Sequence, residues 1–342
     1  MRGSALSQKR SGENQILLDY LDILPIPTPF PVGPVNVYLA KGDDGLTLID
    51  VGPRFEPARE ALREQLAERG YGLGDVRRII LTHAHSDHCG LAGELAEESG
   101  VEVYSHPANF SLLADYATER ERWLAFYAAL MQEAGMPPDQ IVQIDRMRRE
   151  MGRYMAPVRP TGALEEGSAL YLGNEKWQVL HTPGHSGGLI CLYQPQRRLL
   201  ISSDHLLRDI SSNPIVEPPE QEGGERPRRL AEYLSQLQRI AELPIELALP
   251  GHGPFIPDVR DLVARRLMFH DERARQIAKL LQNGARTAYD LTLSLFPRLD
   301  PVNRFLAVSE VIGHLEVLEL RGEVVSAVED GIRFWQMGPA AR

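Results

Sequence analysis

Residues 81–88 read Leu81-Thr82-His83-Ala84-His85-Ser86-Asp87-His88. Four side chains able to bind metal, His83, His85, Asp87 and His88, fall within six residues. They follow directly on the apolar stretch Arg78-Ile79-Ile80-Leu81, which reads as a strand. A strand ending in such a run delivers its imidazoles to a loop held by a rigid sheet, the expected layout for chemistry. Imidazoles and carboxylates at this density are a poor choice for a core, where unpaired charge is costly. They are a good choice for zinc. His83 and His85 are two apart, so in an extended segment both point the same way. A run that binds metal in this way marks an enzyme that activates water.

Four more blocks carry related side chains: Asp50 in Leu48-Ile49-Asp50-Val51-Gly52, His185 in Thr182-Pro183-Gly184-His185-Ser186, Asp204 in Ser202-Ser203-Asp204-His205, and His252 in Pro250-Gly251-His252-Gly253. Together with the HxHxDH run, and in this order, they resemble the signature of the metallo-beta-lactamase superfamily over residues 15–260. The resemblance implies an α/β fold of four layers, the αββα sandwich of that family. It implies that His83, His85 and His185 bind a first metal and that Asp87, His88 and His252 bind a second. Asp204 would bridge the two, and Asp50 would brace the ligand loop without touching metal. Two Zn2+ are the implied cofactors, with Fe or Mn as alternatives. Two ions sharing one water lower its pKa from ~15.7 toward ~7. Asp87, as a ligand that also orients this nucleophile, is the catalytic residue of the set. One position departs from the pattern. The family often has Gly just before the bridging Asp, whereas Ser203 stands here, which predicts a different local turn. Cys89 follows a ligand directly and reads as a small packing residue.

Composition narrows the substrate. The chain has 342 residues, 43% hydrophobic and 25% charged, ordinary for a globular protein with one large and one small domain. The formal net charge of −10 repels a polyanion at long range. A small-molecule substrate is therefore expected and nucleic acid is not. Two cysteines make no disulfide framework and fit a reducing compartment. With no 18-residue apolar run no membrane span is expected, so the expected location is cytoplasmic. Residues 1–14 read as a disordered or vector-derived leader, Met1-Arg2-Gly3-Ser4 being typical of an expression vector.

Along the chain, 24–31 reads as an extended segment stiffened by prolines. Strands are expected at 35–39 and 46–49 around the turn Gly42-Asp43-Asp44-Gly45, and a helix at 57–69. The block 107–156 reads as two helices broken at Pro137-Pro138. Trp123, Phe126, Tyr127, Leu130 and Met131 fall at helical spacing, which by itself means packing of an amphipathic helix. The block lies between ligand groups, however. Tyr116, Trp123, Tyr127 and Tyr154, with His205, are therefore candidates for substrate contact. Strands follow at 169–172, 176–181, 189–193, 199–202 and 245–249, with a loop at 210–224 and a helix at 226–243. Residues 261–342 change character: three helices, then two strands around Glu329-Asp330-Gly331, the pattern of a small winged-helix module.

Fold alone does not choose the reaction. A dinuclear hydrolase of an ester, thioester or lactone is the leading reading. Phosphodiester cleavage suits two metals equally well but needs a basic track. Residues 261–342 balance eleven Lys plus Arg against eleven Asp plus Glu. The expected recognition helix carries Glu310, Glu316 and Glu319, a poor groove reader. The module is expected to pack on the catalytic domain, close its site or mediate a homodimer. A mononuclear iron dioxygenase of the persulfide type shares the histidine run and is the third reading.

Overall fold

The computed structural model describes residues 16–221 and 223–339, and the leader expected at 1–14 lies outside them. Strands β1 (Ile16–Leu18), β2 (Leu21–Ile26), β3 (Val35–Gly42), β4 (Gly45–Ile49), β5 (Val76–Leu81), β6 (Glu102–Ser105) and β7 (Gly162–Ala163) form a seven-stranded sheet in sequence order. Strands β8 (Ala169–Leu172), β9 (Glu175–His181), β10 (Ile190–Gln194), β11 (Leu199–Ser203) and β12 (Leu247–Pro250) form a second sheet, ordered β12-β11-β10-β9-β8. The two sheets face each other across one apolar layer. Tyr38, Ile49 and Ile80 of the first meet Trp177, Val179, Leu192, Ile201 and Leu249 of the second.

Helices cover both outer faces. On the first sheet lie α1 (Glu56–Glu68) and, beyond the short α2 (Ser86–Cys89), α3 (Ala92–Ser99), packed through Ala58, Leu62, Leu66 and Leu95. The order then runs α4 (Phe110–Ala114), α5 (Tyr116–Glu133), α6 (Pro138–Met151), α7 (Arg229–Glu242) and α8 (Val259–Leu281). Helices α7 and the start of α8 cover the second sheet through Leu230, Tyr233, Leu237, Leu262 and Val263. The result is the expected αββα sandwich. Strands buried on both faces read as continuous apolar runs, and β3 and β11 do so.

The chain ends with β13 (Arg286–Thr287), α9 (Ala288–Leu295), α10 (Pro301–Leu320), β14 (Val324–Glu329) and β15 (Ile332–Met337). The last two strands form a hairpin, with β13 pairing on β15. These elements share one core with the helices inserted after β6. Tyr127, Met131 and Ile144 of α5 and α6 pack with Ile277, Leu291, Phe305, Val311 and Trp335. The insertion and the C-terminal elements are thus one helical body beside the sandwich.

Elements β1, β2, β6, β7 and α3 are absent from the sequence expectation. The proline-stiffened segment begins inside β2. Among the described residues β1 pairs with β2 only as far as Asp22, and the Pro25 carbonyl beyond it accepts from Gln65 Nε2 (2.9 Å). The register partner of Pro25, Asn36, donates its N–H to the Gly251 carbonyl (2.7 Å), so no ladder bond is lost on the other side.

Candidate metal centre

The donors gather where strands end. Asp50 follows β4, His83 follows β5, His185 lies past β9, Asp204 follows β11 and His252 follows β12. Strand β4 is parallel to β5, and β11 to β12, so these ends collect at one edge of the sandwich. Cross-links lock the edge. Tyr38 Oη donates to the Pro250 carbonyl (2.7 Å), Asn36 Nδ2 donates to the carbonyls of Pro250 and Gly253, and Ile190 N–H donates to Thr82 O (3.0 Å).

The seven expected ligands fall into groups that share members: His83, His85 and His185; His83, His88 and Asp204; Asp87, His88 and His252. His83 Nε2 and His185 Nε2 lie 3.1 and 2.9 Å from His85 Nδ1. His252 Nε2 lies 3.2 Å from His88 Nε2 and 3.3 Å from Asp87 Oδ2. Asp204 stands between the two sets, Oδ1 3.4 Å from His88 Nε2 and Oδ2 3.6 Å from His185 Nε2. Donors around a tetrahedral zinc at about 2.05 Å are about 3.3 Å apart, close to these separations.

Hydrogen bonds on the far side of four of the five rings orient them. His88 Nδ1–H donates to Asp50 Oδ2 (2.8 Å) and His252 Nδ1–H to the Pro34 carbonyl (2.9 Å). Asp50 also takes the N–H (2.8 Å) and the hydroxyl of Thr82. With its proton so committed, Thr82 Oγ1 accepts from His83 Nδ1–H (3.1 Å) and from Ser203 Oγ (2.7 Å). His185 Nδ1–H donates to Ser212 Oγ (3.1 Å), whose own proton goes to the Asp204 carbonyl. Each of these rings therefore turns its Nε2 inward. Several lone pairs about 3 Å apart repel one another unless a cation sits among them. Asp204 Oδ1 is buried without a hydrogen-bond partner. A Cβ on Gly251 would lie 2.2 Å from that oxygen, so the backbone there is shaped around the carboxylate. The donor set fits metal ions.

Protonation follows the same logic. Burial, aided by neighbouring imidazoles, holds His83 well below the ordinary histidine value and His85 down at about 3. Burial would push Asp87 up, but His88 and His252 outweigh it and bring the carboxyl to about 2. Asp204 is driven well below the carboxylate range in the same way. Burial would lower His88 and His252 as well, but Asp204 and its neighbouring aspartates outweigh it and hold His88 well above, and His252 above, the ordinary histidine value, so metal binding there displaces protons.

The sequence profile of the metallo-beta-lactamase superfamily matches residues 30–252. The chain belongs to this superfamily. It is 35% identical over 301 residues to the probable metallo-hydrolase YqjP of Bacillus subtilis (strain 168), covering 88% of this chain and 92% of that one. It is 29% identical over 223 residues to the acyl-coenzyme A thioesterase MBLAC2 of Gallus gallus, covering 64% and 72%. Among solved structures, a metallo-beta-lactamase family protein from Thermus thermophilus superposes with a TM-score of 0.80 at 31% identity, covering 94% of this chain and all of that one.

Beside the metallo-beta-lactamase donor set opens a cleft of about 270 Å³ reaching from Ala84 and His85 to α5. Its lining combines apolar Pro107, Ala108, Leu112 and Trp123 with polar Ser186, Arg122, Glu217 and Arg229. Of the residues expected to touch substrate, Trp123 lines this cleft. Tyr127 does not: it is 2% exposed, wedged against Phe305 with the Arg148 guanidinium over its ring. Tyr154 packs edge-on to Phe30 and Phe55, Tyr116 joins the core under the first sheet, and His205 is buried against Tyr233. Ser212 and Glu217 escaped the sequence reading because nothing in a Pro- and Glu-rich loop marks them as partners of His185 and its neighbours. Cys89 is buried, donating to the His85 carbonyl, in keeping with packing.

Proposed function

We propose that the protein is a dinuclear metal-dependent hydrolase whose substrates are acyl thioesters and related esters. The observation that carries the reading is the Asp204 carboxylate, placed between two donor sets in which His83, His185, His88 and His252 have their far-side nitrogens bonded. His83, His85 and His185 would hold one ion, and Asp87, His88 and His252 the other. Bound there, the ions supply Lewis-acid polarisation of a carbonyl and a water of lowered pKa. The chain's own residues do the rest. Asp87 stays ionised and accepts a hydrogen bond from the attacking water, which aims it. The apolar lining of Pro107, Leu112 and Trp123 takes the acyl group and keeps bulk water from it. The likeness to a protein named as an acyl-coenzyme A thioesterase supports the thioester class.

The C-terminal elements follow one another as helix, strand, helix, helix and hairpin, a winged-helix order, but their geometry favours no nucleic-acid role. Helix α10 is buried along most of its length. Its acids face inward to Arg226, Arg228 and Arg273. A recognition helix has to be exposed.

The test is a panel of acyl-coenzyme A thioesters, lactones, aryl esters, phosphodiesters and single-stranded RNA offered to zinc-loaded protein. Thiol release from a thioester, abolished by chelator, is expected. Metal-dependent RNA cleavage without acyl hydrolysis would overturn the reading. So would protein purified without added metal that carries about one iron and no zinc, the content of a mononuclear oxygenase.

A further inference from the structure

Residues 205–218, which follow Asp204, contain neither helix nor strand, yet they are pinned at two points. Both anchors belong to the C-terminal helices. From α8, Arg266 Nη2 points at three backbone carbonyls, those of Leu207 (3.0 Å), Arg208 (3.3 Å) and Ile210 (2.6 Å). From α10, the buried Ser309 Oγ accepts the N–H of Val216 (2.8 Å). Val216 and Ile215 sink into the core built by α5, α6, α8, α9 and α10.

Between these anchors stands Ser212, 1% exposed, which accepts from His185 Nδ1–H and donates to the Asp204 carbonyl. Just past the second anchor, Glu217 accepts the N–H of Gly187 (3.1 Å) and pairs with Arg229 (2.7 Å). The loop therefore grips the His185 segment on two sides. An irregular segment must find partners for its backbone polar groups, and bonds from a guanidinium are stronger than neutral ones.

We infer that Arg266 and Ser309 are positioning residues for the metal centre, holding the 205–218 loop so that Ser212 and Glu217 fix His185 with its Nε2 turned toward His85 and Asp204. The inference rests on the metal reading above, since it concerns how a nitrogen is presented to a cation. The C-terminal elements thereby form the wall against which the loop that carries Ser212 is set. Without Arg266, three carbonyls lose their donor, the loop relaxes and the His185 ring is free to rotate away from its partners.

The experiment compares Arg266→Met, Arg266→Lys, Ser309→Ala and Ser212→Ala with the wild type. It reads Zn2+ affinity by chelator competition, the visible spectrum of Co2+-loaded protein, and amide exchange across 205–218 in metal-free protein. Zn2+ binding about 10-fold weaker is expected for Arg266→Met, Ser309→Ala and Ser212→Ala, with partial recovery in Arg266→Lys and an altered cobalt spectrum. Arg266→Met and Ser309→Ala should exchange faster at 205–218. The double variant Arg266→Met/Ser212→Ala should bind no more weakly than Ser212→Ala, because both act along one path. Should Arg266→Met fail to fold, Ser309→Ala carries the test. Wild-type Zn2+ affinity in Arg266→Met and Ser309→Ala overturns the inference and leaves the metal reading standing, as does a loss that multiplies with that of Ser212→Ala. A wild-type protein that takes up no Zn2+, Mn2+ or Fe2+ overturns both.

Discussion

The hydroxyl of Ser203 donates to that of Thr82 across 2.7 Å, joining the end of β11 to the end of β5. Through Thr82 the bond reaches His83 and Asp50, and through Asp50 it reaches His88. Ser203 holds this place in a left-handed backbone conformation, φ 45°, where glycine is at ease and a side chain is strained. Ser203 thus combines a strained backbone with a hydroxyl that ties the two strand ends together.

Two substitutions separate strain from bond. Ser203→Ala keeps the strain and loses the bond, so metal-free protein should lose about 1–2 kcal/mol of stability. Ser203→Gly loses the bond but relieves about 1 kcal/mol of strain, so it should unfold near the wild-type midpoint. Both should bind Zn2+ more weakly, by about 10-fold. Denaturant titration and chelator competition check this. A glycine variant with undiminished affinity would show that the hydroxyl braces nothing.

On the proposed function, Asp87→Ala removes a donor and the group that orients the attacking water. Turnover should fall by about 1,000-fold or more, two steps of acid–base and ligand loss acting together. Metal-free protein should keep its fold with a somewhat lower unfolding midpoint, because the carboxylate that His88 and His252 hold ionised is lost. Steady-state kinetics and circular dichroism measure the two effects. A near-normal rate would remove Asp87 from its role.

Gly251→Ala tests the shape of the cradle. The new methyl would lie 2.2 Å from Asp204 Oδ1 and 2.8 Å from His88 Cε1, distances at which something must shift. The variant should fold with a loss of about 1–3 kcal/mol. It should also bind metal markedly more weakly than wild type, because both displaced groups belong to the donor set. Affinity equal to wild type would place the Asp204 oxygen elsewhere.

The clustering of the candidate donors was legible in the sequence because each follows an apolar strand and sits in or beside a short block of Gly, Pro, Ser or Thr. Such blocks survive in linear order. The sandwich was legible from the same strands. Strand β2 was hidden by Pro25, whose fit depends on its non-bonded register opposite Asn36, a fact of pairing and not of composition. The braces at Ser212 and Arg266 were hidden for a different reason. Arg266 contacts backbone carbonyls 56 to 59 residues away, and a carbonyl has no letter in the sequence. The aromatic run on α5 could not say which ring faces the cleft. Trp123 does and Tyr127 turns into the helical core, a choice made by Phe305 on α10.

A pair of histidines outside the donor set makes acid stability testable. His314 Nδ1–H donates to the Glu310 carbonyl (2.7 Å), so its Nε2 accepts from His270 Nδ1–H (3.2 Å), and both rings are neutral. Burial, reinforced by His314 and nearby arginines, pushes His270 down to about 3, and burial pushes His314 down to about 4. An unfolded histidine titrates near 6.5. Below that value the unfolded chain binds protons that the folded pair refuses, so stability is full above about pH 6.5 and falls as the pH drops toward 4. One such imidazole costs about 2 kcal/mol between pH 7 and pH 5. Metal-free wild type and His314→Gln, unfolded by denaturant at both pH values, should differ in their acid loss by about that amount, the variant losing less. The other buried histidines contribute equally to both proteins and cancel. Equal losses in the two proteins would mean that the ring of His314 takes up its proton without unfolding.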